Sequence, residues 1–282
     1  MTRTTDFPLS RAMVAAVLFG TSMGAAHATV VSGFDAAFTA NGSWFAADVR
    51  PGGTASVTSL VGTGGNLETA QPLPTGAAKL TTDATNAAKA EVSVRDSYGR
   101  AGDILRTLDL HYSFYRTNAA GQNAAAAPSI KLTFFNGAYV GDGFVTLVYE
   151  PYWQTGAAVN PASDVWTAVD IDYTNGLFWQ NGGFGQANSA GGPPLNTLAG
   201  WDAAFDSGFD AADLMAVSMG IGTFNPGVTS YFDDVRISHA SGAGYSAVYD
   251  FELAGAVPEP GSLALAGLAL FGLAAVRRRM SA

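Results

Sequence analysis

Few residues in this chain of 282 amino acids have the type and spacing that catalysis needs. Its only Gly-x-Ser-x-Gly segment, residues 20–24, lies in an apolar N-terminal run, not at the strand-to-helix turn that activates a serine nucleophile. His111 and His239 are not in a zinc-type spacing such as His-Glu-x-x-His, and cysteine is absent. The sequence therefore predicts no serine, cysteine or zinc-dependent chemistry.

Glycoside hydrolysis is the enzymatic alternative that stays open, because it needs only two carboxylates about 5 to 10 Å apart across a cleft. Glu91 and Glu150 are the candidate pair. They stand alone, without the Glu-x-Asp-x-x-Glu strand of concanavalin-like glycosidases. The sequence therefore favours a non-enzymatic protein, with a secreted glycoside hydrolase as the less favoured alternative.

Aromatic side chains are the remaining candidates for ligand contacts. The chain has 17 Phe, 10 Tyr and 5 Trp but only 13% charged residues, so some rings are expected to lie outside the core. Exposed rings stack on the faces of sugars, and Trp153, Trp179 and Trp201 lie in or beside Gly- and Asn-rich loops. We expect these three to form a polysaccharide-binding platform. The alternative is that loop tryptophans close the open ends of a core.

The remainder of the chain predicts the elements that would position these rings. From Thr29 onward, apolar and polar residues alternate with period two, and Gly, Pro, Asn or Asp interrupts the alternation about every eight to twelve residues. This pattern predicts about ten to twelve antiparallel strands. One short helix is predicted over residues 195–205, after Pro193-Pro194. We expect an all-β fold, an antiparallel two-sheet sandwich of jelly-roll type, as one domain over residues 29–255.

Charge excludes nucleic acid as an expected partner. Residues 29–255 carry 21 Asp and Glu against 9 Lys and Arg, a net charge of −12, compared with −9 for the whole chain. A surface of this sign repels the phosphate backbone.

The N-terminus has the features of a secretion signal. Arg3 and Arg11 precede an apolar run over residues 12–26, and the run ends in Ala26-His27-Ala28. This small-x-small pattern is read by signal peptidase, so residues 1–28 are predicted to be a signal peptide cleaved after Ala28. The alternative is a short N-terminal helix of the mature fold.

The C-terminus combines three features in a fixed order. A rigid, extended Pro-Glu-Pro segment comes first, an apolar stretch over residues 263–276 follows, and a cluster of arginines comes last. The residues concerned are Pro258, Glu259, Pro260, Arg277, Arg278 and Arg279. In order and spacing, residues 257–282 resemble the PEP-CTERM sorting tail of Gram-negative bacteria.

That resemblance implies a sequence of events after export. Exosortase would recognise the tail, the apolar stretch would hold the protein transiently in the inner membrane as a C-terminal hydrophobic helix, and the tail would then be removed. The processed protein would be released or attached at the surface of cells that usually make an exopolysaccharide. An ordinary single-span anchor is the alternative, since about 15 apolar residues are marginal for a span.

A second resemblance concerns residues 230–237, Ser-Tyr-Phe-Asp-Asp-Val-Arg-Ile. This segment resembles the late strand of jelly-roll sandwiches of the carbohydrate-binding-module type. The resemblance implies that Asp233 helps to hold a structural calcium, the one cofactor that we expect. The alternative is that Asp233 and Asp234 accept hydrogen bonds from backbone amides at a strand end.

The sequence as a whole predicts an exported surface or exopolysaccharide-matrix protein that binds polysaccharide without cleaving it. The expected processing partners are signal peptidase and exosortase. A purely structural or adhesive matrix component is the alternative, because it needs the same export signals but no discrete ligand.

Overall fold

The computed structural model describes residues 28–189 and 191–254. Residues 1–27 of the expected signal peptide, which ends at Ala28, and the expected sorting tail lie outside these ranges. The processing residues from Pro258 to Arg279 are therefore not part of the fold described below.

Thirteen strands and three short α-helices make up the described part of the chain. The strands are β1 (Thr29–Val30), β2 (Trp44–Ala46), β3 (Gly53–Ser59), β4 (Gly76–Thr82), β5 (Ala90–Val94), β6 (Asp109–Arg116), β7 (Ser129–Phe135), β8 (Phe144–Tyr149), β9 (Trp166–Ile171), β10 (Phe178–Asn181), β11 (Asp213–Ile221), β12 (Thr229–His239) and β13 (Tyr245–Asp250). The α-helices are α1 (Gly65–Thr69), α2 (Ala101–Ile104) and α3 (Leu198–Ala204), and 3-10 turns cover Leu105–Thr107 and Pro151–Trp153.

The strands form two sheets, as the sequence predicts. Sheet A has seven strands in the order β1-β13-β12-β4-β3, with β6 also paired to β12 and β9 paired to β6. Sheet B has six strands in the order β10-β8-β7-β11-β5-β2. Every pairing is antiparallel except β1 with β13. The expected all-β, two-sheet sandwich is confirmed, and the strands beyond the expected number include β1 and β2, which are too short to show an alternating pattern.

The core lies between the sheets because each long strand turns its apolar residues to one face. In sheet A, Leu110, Tyr112 and Phe114 of β6 are at most 1% exposed. In sheet B, the buried residues are Ile130, Leu132 and Phe134 of β7, Val145 and Leu147 of β8, and Val217, Met219 and Ile221 of β11. Full burial of such a side chain contributes about 1.5–3 kcal/mol. The alternate residues of sheet B are left to form its outer face.

The helix predicted over residues 195–205 is present as α3, but it begins later. Thr197 is its N-cap, and its Oγ1 accepts a hydrogen bond from the Gly200 N–H at 3.2 Å. Asn196 is instead bound to Phe178 of β10 in an isolated bridge. The helix buries Leu198 and Trp201 against the core.

Candidate functional site

A groove of about 720 Å³ lies over the outer face of sheet B. Three rows of residues on neighbouring strands supply most of its floor: Glu91 and Ser129, which both pair with Gly220; Lys131, Val148 and Trp179; and Thr133, Thr146 and Asn181. Side chains in these positions share a face because alternate residues of a strand point the same way. Loop residues 125–127, 151–153 and 222–225 line the groove as well.

Aromatic rings line this groove at several points. Trp179 comes from β10, and Tyr152 and Trp153 come from the 3-10 turn after β8, with their ring centroids 4.9 Å apart in an edge-to-face pair. All three are partly exposed. Phe144 and Phe224 also line it and are 44% and 73% exposed. The groove thus offers ring surface beside a polar floor.

Phe224 is held in an unusual backbone conformation. Its φ is 62°, a left-handed value that residues with a side chain rarely adopt. Its backbone N–H donates to the Asn86 carbonyl at 2.9 Å, and its carbonyl accepts from Asn123 Nδ2 at 3.5 Å. The backbone is therefore fixed while the ring faces solvent. Sequence reasoning missed Phe224, and its place between Thr223 and Asn225 in a turn was the available signal.

The structure brings two of the three predicted tryptophans together. Trp153 and Trp179 line the same groove. Trp201 does not join them, because it is only 2% exposed, its Nε1 donates to the Phe178 carbonyl at 2.8 Å, and its ring stacks on Phe205. The expectation that Trp201 contacts a ligand is therefore corrected: this ring fills the core below α3.

An ion-pair ladder crosses one side of the groove, formed by Arg50, Asp48, Lys89, Glu91 and Lys131. Asp48 Oδ2 lies 2.8 Å from both Arg50 Nη2 and Lys89 Nζ. Glu91 Oε2 lies 3.1 Å from Lys89 Nζ and also contacts Lys131 Nζ. Positive and negative charges alternate along the ladder, and both of its ends are cations.

Gly220 explains how Glu91 reaches Lys131 across the intervening strand β11. Gly220 is paired with Glu91, and a Cβ there would lie 3.1 Å from the Glu91 Cβ and Cγ. Any larger residue would crowd the path of the Glu91 side chain. Burial alone would raise the pKa of Glu91, but Lys131 and Lys89 outweigh burial and hold this pKa below its ordinary value.

Glu150 stands at the opposite side of the groove, and its pKa moves the other way. Burial raises the pKa of Glu150, and the indoles of Trp179 and Trp153 and the charge of Lys131 offset only part of that rise. Trp179 Nε1 faces this carboxyl but has no partner within hydrogen-bond geometry among the described residues. Glu91 and Glu150, which look isolated in the sequence, thus line one groove.

Asp233 lies far from this groove in a buried position between β12 and the end of β13. Its side chain is 0% exposed, and its Oδ1 accepts a hydrogen bond from the Phe251 N–H at 3.1 Å. Its Oδ2 and the Oδ1 of Asp250 are buried without a partner in the described residues. Burial raises the pKa of Asp233 to about 8 and that of Asp250 to about 6.

The surroundings of Asp233 fit the ligand chemistry of calcium in part. Two orphaned carboxylate oxygens are hard ligands of the type that calcium accepts. Within residues 28–189 and 191–254, however, no group of three or more His, Cys, Asp or Glu side chains is placed to hold a metal ion. Asp234 points elsewhere, since both of its oxygens bind Arg236 at 2.7 and 2.8 Å.

Comparison with known proteins identifies the C-terminal segment. Residues 256–279 match the PEP-CTERM protein-sorting motif. This match confirms the resemblance seen in Pro258, Glu259 and Pro260 and the features that follow them, and it indicates export, sorting to the cell surface and exosortase as the processing partner. No helix in the described part of the chain is long and apolar enough to cross a membrane. No curated protein matches the chain.

Among solved structures, the chain is similar to carbohydrate-binding modules. It matches the family 11 module from Clostridium thermocellum in complex with a β-1,3-1,4-mixed-linked tetrasaccharide, with 13% identity over 73% of this chain and 94% of that one, and a TM-score of 0.36. A family 11 module of a cellulosomal cellulase of the same organism matches with 13% identity over 77% and 96%, and a TM-score of 0.36. An exo-β-agarase matches with 8% identity over 72% of this chain but 24% of its own length, and a TM-score of 0.33.

Proposed function

We propose that this is a non-enzymatic surface protein that binds a polysaccharide chain in the groove on sheet B. The proposal rests on one observation: Trp153 and Trp179, which come from two different elements, line the same groove beside a polar floor. The volume of about 720 Å³ lies within the usual range of about 300–1,000 Å³ for ligand sites.

A sugar ring has apolar faces and polar edges, and the groove offers contacts for both. The ring faces carry C–H groups, which pack on flat aromatic surfaces such as Trp179 and Trp153. The ring edges carry hydroxyls, which need donors and acceptors. Thr133, Thr146 and Asn181 supply these in the row next to Trp179.

Sorting through the C-terminal motif supports this role. We infer that the apolar stretch over residues 263–276 holds the chain transiently in the inner membrane, with Arg277–Arg279 on the cytoplasmic side. The described domain then lies on the side of the membrane away from the cytoplasm, on the export route to the surface where exopolysaccharide is deposited. After removal of the tail, the protein works in the surface layer or the extracellular matrix.

The test is titration calorimetry of the full chain against the exopolysaccharide of the producing cell, in a detergent without a sugar headgroup. We expect saturable binding by the wild type and at least a tenfold weaker affinity for Trp179→Ala and Trp153→Ala, since loss of one ring removes about 1.4 kcal/mol or more. Phe38→Ala is the matched control, because Phe38 is 41% exposed and does not line the groove. Absence of binding by the folded protein would favour a structural or adhesive matrix role instead.

Glycoside hydrolysis is a second candidate, and one observation favours it. Glu91 and Glu150 line one groove with pKa values moved in opposite directions, which is the arrangement of a base and an acid. Against it, Lys89 and Lys131 both contact Glu91 Oε2, so the candidate base is engaged by two cations. We expect no new reducing ends after incubation with the polysaccharide. Their appearance in the wild type and their loss in Glu150→Gln would replace the binding proposal with hydrolysis.

A further inference from the structure

The cations of the groove are concentrated far beyond what the composition suggests. The chain contains only three lysines, Lys79, Lys89 and Lys131, and two of them line this groove together with Arg50. The rest of the domain is acidic, with 21 Asp and Glu against 9 Lys and Arg over residues 29–255. The groove therefore gathers three of the nine Lys and Arg residues of an acidic domain.

The ion-pair ladder contains three cations and two carboxylates, so one positive charge is not compensated within the ladder. Arg50, Lys89 and Lys131 stand against Asp48 and Glu91, and each carboxylate is shared between two cations. Lys131 is the inner end of the ladder, and Glu91 is its only carboxylate contact in the part of the chain that the structure describes. An ammonium group has three N–H donors, so Lys131 has donors left for a ligand.

The charged side chains of the ladder are mostly buried, so solvent screens the uncompensated positive charge only weakly. The side chains of Lys131, Glu91 and Lys89 are only 13%, 13% and 15% exposed. Charges in such a position are screened less than those on an open surface. Burial raises the pKa of Glu150, the other carboxyl whose charge acts on Lys131, and Glu150 makes no ion pair with Lys131 among the described residues.

The position of Lys131 relative to Trp179 sets a spacing. The two residues lie in one row of the floor, with Val148 of β8 between them. Strands are about 4.8 Å apart, so the backbone positions are separated by about 10 Å, which is on the scale of a disaccharide. A chain stacked on Trp179 by one sugar would bring a nearby sugar to the Lys131 ammonium.

We propose that the groove takes a polysaccharide with carboxylated sugars spaced among neutral ones, a neutral sugar stacking on Trp179 while a carboxylate binds Lys131 and completes the alternating ladder. This inference rests on the proposed function, because it names the ligand class of the same groove. The spacing matters, since the net charge of −12 over residues 29–255 repels a densely charged polyanion.

The test compares two forms of one glycan. Deacylated gellan fragments carry one glucuronate among neutral sugars in each repeat, and carboxyl reduction turns the same fragments into a neutral chain. We expect the wild-type full chain to bind the carboxylated form about tenfold more tightly than the reduced form, the effect of one charge-assisted hydrogen bond. Polygalacturonate, in which every sugar is charged, should bind more weakly than the gellan fragments.

Variants separate this inference from the proposed function. Lys131→Met should lose the preference for the carboxylated form and keep its affinity for the reduced form, whereas Trp179→Ala should lose affinity for both. Lys131→Arg keeps the charge and should keep the preference, which controls for damage to the Glu91 pair, and Lys79→Met removes a lysine outside the groove. Equal affinity of the wild type for both forms would overturn this inference and leave the proposed function standing. Absence of binding to every glycan would overturn both.

Discussion

Replacing Asp233 by asparagine should change how the stability of this protein depends on pH. The Asp233 carboxyl is 0% exposed, and burial raises its pKa to about 8. In the unfolded chain an aspartate has a pKa of about 3.9. The folded state therefore holds the Asp233 proton more tightly than the unfolded state does, and stability falls as the pH rises from about 4 to about 8.

The size of this effect follows from the two pKa values. Each pKa unit corresponds to about 1.36 kcal/mol, so by pH 7 the buried carboxyl costs the folded state about 4 kcal/mol. An amide carries no charge at any of these pH values. Its oxygen still accepts the hydrogen bond from the Phe251 N–H, and its Nδ2 takes the place of Oδ2, which already lacks a partner among the described residues. Asp233→Asn should therefore match the wild type near pH 4, exceed it by about 1.5 kcal/mol at pH 5 and exceed it by several kcal/mol at pH 8.

Urea unfolding followed by tryptophan fluorescence, from pH 5 to pH 8.5 with chelator present, measures this difference. The comparison between variant and wild type isolates Asp233, because Asp250 and Glu150 titrate in both proteins. A variant that is as pH-dependent as the wild type, or less stable than it at pH 8, would refute the reasoning. Added calcium gives a second reading: if the ion binds Asp233, it should remove the loss of stability at high pH in the wild type and leave the variant unchanged.

Three further outcomes follow from single contacts or from the sequence. Thr197→Ala should lower the free energy of unfolding by about 1 kcal/mol through loss of the N-cap of α3, and an unchanged urea midpoint would contradict that role. The hydrogen bond to Asp234 and the nearby Asp170 raise the pKa of His111, so NMR titration should give a pKa above 6.5 that falls in Asp234→Asn; a value that does not move would exclude this pairing. Mass spectrometry of the surface-exposed protein should find a chain that begins at Thr29 and lacks Arg277, whereas an intact C-terminus would contradict processing.

The two-sheet fold was predictable because long strands repeat their pattern over several residues. β6, β7, β8 and β11 are six to nine residues long, and the apolar residues that pack in the core recur at every second position, as Leu110, Tyr112 and Phe114 do in β6 and Ile130, Leu132 and Phe134 do in β7. β1 and β2 have two and three residues, which is too few for a period to be seen. The start of α3 was missed because Asn196 has another partner in β10, and that contact is tertiary.

The candidate site was only partly predictable, because strand register and burial decide which residues meet. Alternation alone places Lys131 and Glu91 on outward positions of their strands, but only the pairing of β7 and β5 with β11 brings them into contact. Trp179 and Trp201 have similar Gly-rich or Ala-rich surroundings in the sequence. One lies in the groove and the other in the core, because Trp201 is on the buried face of α3.

The outer face of sheet A shows why the groove on sheet B is the better candidate for a binding surface. Sheet A also carries outward rings, and Tyr115 contacts both Tyr231 and Trp166. These rings are covered, since Leu67 of α1 packs on them and the Trp166 Nε1 donates to the Leu67 carbonyl at 3.0 Å. Tyr115 and Tyr231 are thus only 6% and 7% exposed. Trp153 and Trp179 line the groove and stay partly exposed, so a ligand that stacks on them buries apolar surface that the fold leaves open.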